Sequence, residues 1–90
     1  MPEFIRQVIR EPRFEGELRR LIAKVIAADQ LVEAAEFLIV RDPLTGSQTE
    51  DPRVWAMPMA LVEVAQVVLY YTFDDGIVWL LSIVRISNEH

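Results

Sequence analysis

Few side chains in this sequence are of a type that does chemistry. Histidine occurs once, as the last residue, His90, and a chain end is seldom held firmly enough to act as base or ligand. Cysteine is absent, which excludes a disulfide framework, a thiolate zinc site, an iron–sulfur cluster and a cysteine nucleophile. Glu33 and Glu36 share one predicted helix face. Without a histidine or a third carboxylate at suitable spacing, they read as a solvated face and not as a metal site. Gly46-Ser47 lacks the further glycines and the Lys-Ser/Thr ending of a phosphate loop, and no G-x-S-x-G occurs. Asp74-Asp75-Gly76 looks like the start of a calcium loop, but a hairpin turn accounts for it. No cofactor or metal is therefore expected. Two sets remain. Tyr70, Tyr71, Arg53 and Arg85 can move protons and carry positive charge. Trp55, Tyr70 and Trp79 are of the types enriched at the centres of protein interfaces.

These side chains must be positioned by a short series of elements. Phe4–Arg10 alternates in the manner of a short strand, and Glu11-Pro12 ends it. Arg13–Ala27 predicts a helix whose stripe is Phe14, Leu18, Leu21, Ile22 and Val25. Its acids, Glu15 and Glu17, come early and its bases, Arg19, Arg20 and Lys24, come late, as the helix dipole favours. A break at Ala28-Asp29-Gln30, with Asp29 as N-cap, introduces a second helix over Gln30–Arg41. A single long helix through Asp29 is the alternative. The second helix is apolar nearly all round, which predicts burial on more than one side, and Pro43 stops it.

Asp42–Pro52 is a loop, long for so small a domain. Val54–Met57 reads as a strand that Pro58 ends or places at an edge. Met59–Ala65 fits either strand or helix. Gln66–Phe73 and Ile77–Ile86 form a hairpin across Asp74-Asp75-Gly76. Both faces of that hairpin are apolar, so the pattern does not set its register, and both faces should be covered. The fold class that follows is α+β: a short N-terminal strand, then a helical hairpin packed on one face of a twisted antiparallel sheet, in the order β-α-α-β-β-β.

Composition bounds the rest. Ninety residues make one domain, 1–90, and 52% hydrophobic content exceeds the usual ~45–50%, so disorder is excluded. The formal net charge is -5, with Lys+Arg 9 against Asp+Glu 14. The N-terminus lacks the form of a signal peptide, and no run reaches the ~18–20 apolar residues of a membrane span. A cytoplasmic protein with no membrane association is expected.

The order of elements resembles the RelE/ParE family, the toxin half of bacterial toxin–antitoxin pairs. The likeness rests on Arg41-Asp42-Pro43-Leu44-Thr45-Gly46, on the strand Arg53-Val54-Trp55-Ala56-Met57, and on the hairpin Val68–Val78. It implies a type II toxin-like component that binds an antitoxin and cleaves mRNA or inhibits gyrase. RNA cleavage by 2′-OH attack needs a base, an acid and a cation. Tyr71, or its neighbour Tyr70, with Arg53 and Arg85 would supply them by meeting on the exposed sheet face. Arg85 stands on the last strand, where nucleases of this family place an arginine. Ordinary structural roles fit the same residues: Arg85 snorkelling at the rim of the core, and the tyrosines as sheet aromatics.

Two features depart from the ribonuclease members, which are basic because they sit against RNA phosphates. This chain is acidic, with Lys24 as its one lysine, so direct contact with nucleic acid is not expected. Its C-terminal catalytic segment is expected to be short or absent, which the gyrase-inhibiting branch tolerates better. The expected partner is an antitoxin segment or a second copy, docked on the exposed sheet face through Trp55, Tyr70 and Trp79. A non-enzymatic interaction or dimerisation module is the alternative.

Overall fold

The computed structural model describes residues 5–61 and 65–86. Phe4 and His90 lie outside the described residues. Two helices pack on one face of a five-stranded mixed sheet, an α+β fold. The chain runs β1 (Gln7–Arg10), α1 (Pro12–Leu21), α2 (Val25–Arg41), a 3-10 turn at Pro43–Thr45, β2 (Ser47–Gln48), β3 (Trp55–Leu61), β4 (Ala65–Phe73) and β5 (Ile77–Ile86). The sheet order is β1-β5-β4-β3-β2. All pairs are antiparallel except β1 with β5, which run parallel. The sheet is thus mixed where a purely antiparallel one was expected, because the helices carry the chain back before the last strand is laid beside the first.

The helices break in a different place from the one predicted. Pro12 opens α1 at its first position, where a missing N–H costs nothing. Helix α1 closes at Ile22, whose N–H still reaches Leu18 O at 2.9 Å, and α2 begins at Val25. Asp29 is no cap; it lies inside α2. The break is required by size. A straight helix from Pro12 to Arg41 would run about 45 Å, longer than the about 33 Å of the ten-residue strand β5. Folding back at residues 22–24 lets Phe14 and Leu18 of α1, and Ala28, Leu31, Val32, Ala35 and Ile39 of α2, share one core. Most of the buried side chains of α2 lie on that stripe, and Val40 is buried off it at the helix end. Val25, Ile26, Phe37 and Leu38 are exposed, so, Val40 apart, the expectation of burial on more than one side fails.

From the sheet, Met57, Val67, Leu69, Tyr71, Val78, Leu80 and Ile83 meet the helices. In β4 the odd positions Val67, Leu69 and Tyr71 face the helices and the even positions face away, although Val68 on that other side is also buried. In β5 the alternation shifts. Tyr70 pairs with Ser82 and Tyr71 with Leu80, which leaves Leu81 as an extra residue in a bulge. The bulge moves the helix-facing set from Val78 and Leu80 to Ile83, a change of parity that no sequence alternation displays.

The expected loop contains two small elements. Pro43–Thr45 turns, and Ser47–Gln48 pairs with Trp55–Ala56 as the edge strand β2. Pro58 neither ends β3 nor bends it out of the sheet, and it sits opposite Val68. This edge position is one proline tolerates.

Candidate functional site

Tyr71 is the best placed of the candidate catalytic groups for chemistry and the least free to perform it. Its side chain is fully buried. The hydroxyl donates to Pro43 O at 2.6 Å and accepts from Gly46 N–H at 3.1 Å. Burial pushes its pKa above the ordinary tyrosine value. Gly46 is required by this arrangement: a Cβ there would stand 2.5 Å from Tyr71 Oη and 2.7 Å from Ala56 O. The pair pins the loop after α2 onto the sheet, and both bonding directions of the phenol are in use.

The two arginines do not join it. Arg53 lies in the turn before β3, with its side chain 85% exposed, and its Nε meets Asp51 Oδ1 at 3.2 Å. That ion pair holds the Asp51 carboxyl below its ordinary range, through the hydrogen bond from Arg53 first. Arg85 is exposed near the end of β5, opposite Val67. Val67 is four residues from Tyr71 along β4, a separation of about 13 Å. The structure therefore does not bring Arg53, Tyr71 and Arg85 to one point.

The aromatic residues divide between two faces. Trp55 pairs with Tyr71 and packs against Phe73 at a tilt of 57°, with ring centroids 5.8 Å apart, on the side that faces the helices. Tyr70 and Trp79 lie on the opposite side, and their strands are adjacent. Trp55 and Trp79 are not on neighbouring strands, since β4 runs between β3 and β5.

That opposite side carries no helix among the described residues. The register sets out its rows. Ile9, Trp79 and Thr72 form one; Ala56 and Tyr70 a second, whose β5 partner Ser82 turns its hydroxyl to Glu17 of α1 beside the bulge; Pro58, Val68 and Val84 a third; Ala60, Gln66 and Ile86 a fourth. None of these positions is charged. Ile9 is 42% and Val84 36% exposed, which is high for large apolar residues within a sheet. Among the described residues the charged side chains stand on the helices, in the turns, or at strand positions of the other parity, as Arg10 and Arg85 do.

Two stretches along the edges of the same sheet are shielded from further strands. Beyond β2, the outer edge of β3 includes Pro58, which has no N–H to offer. Beyond Arg10, β1 ends and the flank of β5 is open. There the Glu17 carboxylate of α1 accepts from Ser82 Oγ at 2.7 Å and from Ile83 N–H at 3.3 Å. These bonds, the Ser82 one foremost, lower the Glu17 pKa from its ordinary value. Each device blunts an edge that would otherwise recruit a strand.

On the helix side, a grouping of ionised residues centres on Arg10. Its Nε meets Glu36 Oε2 at 2.9 Å, and its Nη1 lies 3.4 Å from Glu15 Oε1 and 4.0 Å from Asp29 Oδ1. The hydrogen bond to Glu36 is the main cause that raises the guanidinium pKa. Glu36 is thus a structural partner of β1, whereas its expected companion Glu33 is exposed. A cleft of 220 Å³ opens beside this cluster, floored by Leu18, Ile22 and Ala28. With three carboxylates already around it, Arg10 has no charge to spare for an anion.

The sequence matches no protein-family model, and no curated protein is significantly similar to it. Among the described residues no helix is long and apolar enough to cross a membrane. Three features of the site escaped sequence reasoning: the Arg10 hub, the Glu17 edge cap, and Ile9 and Val84 on the open face. For Arg10 a signal existed, because it shares parity with Val8 at the strand end nearest the helices. For Val84 there was none, since the bulge hides its parity.

Proposed function

We propose that this chain is the toxin-like member of a type II toxin–antitoxin pair of RelE/ParE kind, and that it acts by protein contact and not by catalysis. The observation that carries this reading is the sheet face that carries no helix among the described residues, which is mostly apolar and has no charged position in its rows. A surface of that kind is covered by protein. Its natural occupant on this reading is the apolar face of an antitoxin segment, with any basic flanks attracted by the net charge of -5. The order of elements, a short strand, two helices and then the antiparallel strands, supports the same family reading.

Cleavage of mRNA finds less support. It needs cations gathered near the scissile phosphate. Arg53 is tied to Asp51, Arg85 stands apart, and the hydroxyl of Tyr71 is committed to Pro43 and Gly46. Contact with a protein target, as in the gyrase-inhibiting branch, asks for none of these.

Induced expression in a bacterial host that lacks any antitoxin tests the proposal. Growth arrest is expected, relieved by co-expressing an antitoxin that binds the chain. Folded, well-expressed chain that leaves growth unchanged would remove the toxin reading in favour of a non-enzymatic interaction module using the same face.

A further inference from the structure

We infer that the elbow between α1 and α2 is a docking site for a short acidic segment of a partner protein, which lodges an aliphatic side chain in the cleft there and sets its carboxylates against Arg19, Arg20 and Lys24. The elbow lies on the helix side of the sheet, and its use does not depend on what the opposite face binds. Three observations converge on it.

The first is apolar exposure. Ile26 is 75% exposed, the highest value among the large apolar side chains described, and its neighbour Val25 is 58% exposed. Both stand in the first turn of α2, outside the stripe that this helix buries from Ala28 onward. A lone exposed apolar residue is ordinary. Here Val25 also lines the cleft, whose floor is Leu18, Ile22 and Ala28, so cleft and exposed pair form one apolar surface.

The second is size. A cleft of 220 Å³ falls below the ~300–1,000 Å³ of pockets that enclose a whole small ligand. It suits one aliphatic side chain, the kind of anchor on which a protein contact is built.

The third is charge. Arg19, Arg20 and Lys24 gather at this corner of a chain whose net charge is -5. The Arg19 side chain is 70% exposed, and its Nη2 lies 4.0 Å from Glu15 Oε2. Arg20 and Lys24 are exposed, and neither is ion-paired among the described residues. The dipole of α1 favours bases at its end, but it does not require Val25 and Ile26 to be wet. The acids on the rim, Glu15 and Asp29, are turned to Arg10, so the cations at the end of α1 are the ones left for a partner. Carboxylates complement them. An anionic bilayer would answer the charge but supplies no side chain to fill the cleft.

A fluorescein-labelled peptide with leucines along one helical face and glutamates along the other tests this, titrated with the full chain by fluorescence anisotropy. The acidic peptide should bind at least about ten-fold more tightly than its counterpart with lysines for glutamates, although the net charge of -5 favours the lysine peptide. Arg20→Glu combined with Lys24→Glu should weaken binding about ten-fold, and Ile26→Asp by a similar factor. These positions are exposed, so the circular dichroism should not change, and Val84→Asp should leave the affinity intact. No binding of the acidic peptide, or equal binding of the lysine peptide, would overturn the inference. So would binding that is lost with Val84→Asp and kept with Ile26→Asp. Binding to phosphatidylglycerol vesicles without binding of the acidic peptide would make the elbow a lipid contact instead. A dimer in sedimentation that Ile26→Asp disperses would give the elbow to a second copy and would likewise overturn it. If the peptide binds as expected but the chain does not arrest growth, the elbow site stands and only the toxin reading fails.

Discussion

Tyr70 and Tyr71 are the same residue type, one bond apart in sequence, with opposite roles. Alternation places them on opposite faces of β4, and that much was legible. Which of them faces the helices was not, because Val67 to Phe73 is apolar at nearly every position. The packing decides it: Tyr71 fills the core and anchors the loop through Pro43 and Gly46, and Tyr70 is left on the open side. Tyr71→Phe should therefore cost about 1–3 kcal/mol, because it leaves a buried carbonyl and N–H unpaired. Urea unfolding reads this directly. Gly46→Ala should destabilise at least as much, since the added methyl collides with Tyr71 Oη. By contrast, Arg53→Ala and Arg85→Ala are surface changes, and their unfolding free energies should stay within about 0.5 kcal/mol of the parent.

Among the elements, α1 holds the sheet in two ways, through its apolar stripe and through Glu17. The Glu17 carboxyl has a pKa below its ordinary value of 4.5 in the folded chain. A group of this kind contributes stability that is fully present above that ordinary value and is lost as pH falls through its lowered folded value. Glu17→Gln should reduce stability at neutral pH and make the acid-side decline shallower. An acid titration of the folded fraction measures both, and an unchanged acid limb would assign the decline to Asp51 and Asp74 instead.

Arg10 is the second fastening. It ties β1 to α1 through Glu15 and to α2 through Glu36, with only about a quarter of its side chain exposed. Arg10→Met should cost about 1 kcal/mol or more, because Glu36 keeps its charge at a site that is 20% exposed and loses its partner. Hydrogen exchange should quicken first in β1, which joins the sheet by one short parallel pairing.

The elements themselves could largely be read beforehand. The hairpin of β4 and β5 was marked by Asp74-Asp75-Gly76, and the structure shows why: Asp74 Oδ1 accepts from the Gly76 and Ile77 amides at 2.9 and 2.8 Å. The helix break could not be read, because Ile22-Ala23-Lys24 contains neither glycine nor proline. Asp29 had the look of an N-cap but instead stands on α2 near Arg10. Strand β2 was hidden in a polar loop because its two residues bury no apolar side chain: both are exposed and held by backbone pairing and by the Gln48 amide, which donates to Pro52 O at 2.8 Å.

For the whole molecule, the relation between apolar content and size is the governing fact. A chain of 90 residues with 52% hydrophobic content builds one core between helices and sheet, and apolar residues remain for the opposite sheet face. That excess was visible in composition, and so was the expectation that both faces of the hairpin would need cover. Its location required the register, and the register depends on a bulge. The acidic charge was legible too, and among the described residues it now has a place: it lies away from the open face, whose rows carry no charge. Binding of single-stranded RNA should accordingly be undetectable at physiological salt, because no phosphate-neutralising patch lies on that face. A fluorescence titration with a labelled oligonucleotide checks this.

The central claim is that the open sheet face acts by docking protein. Growth arrest on induction, compared between two classes of variant at matched expression, tests it most directly. The account predicts that Arg53→Ala and Arg85→Ala arrest growth like the parent, whereas Val84→Asp and Tyr70→Asp do not. Arrest that is lost with Arg53→Ala and Arg85→Ala, but kept with Val84→Asp and Tyr70→Asp, would contradict it.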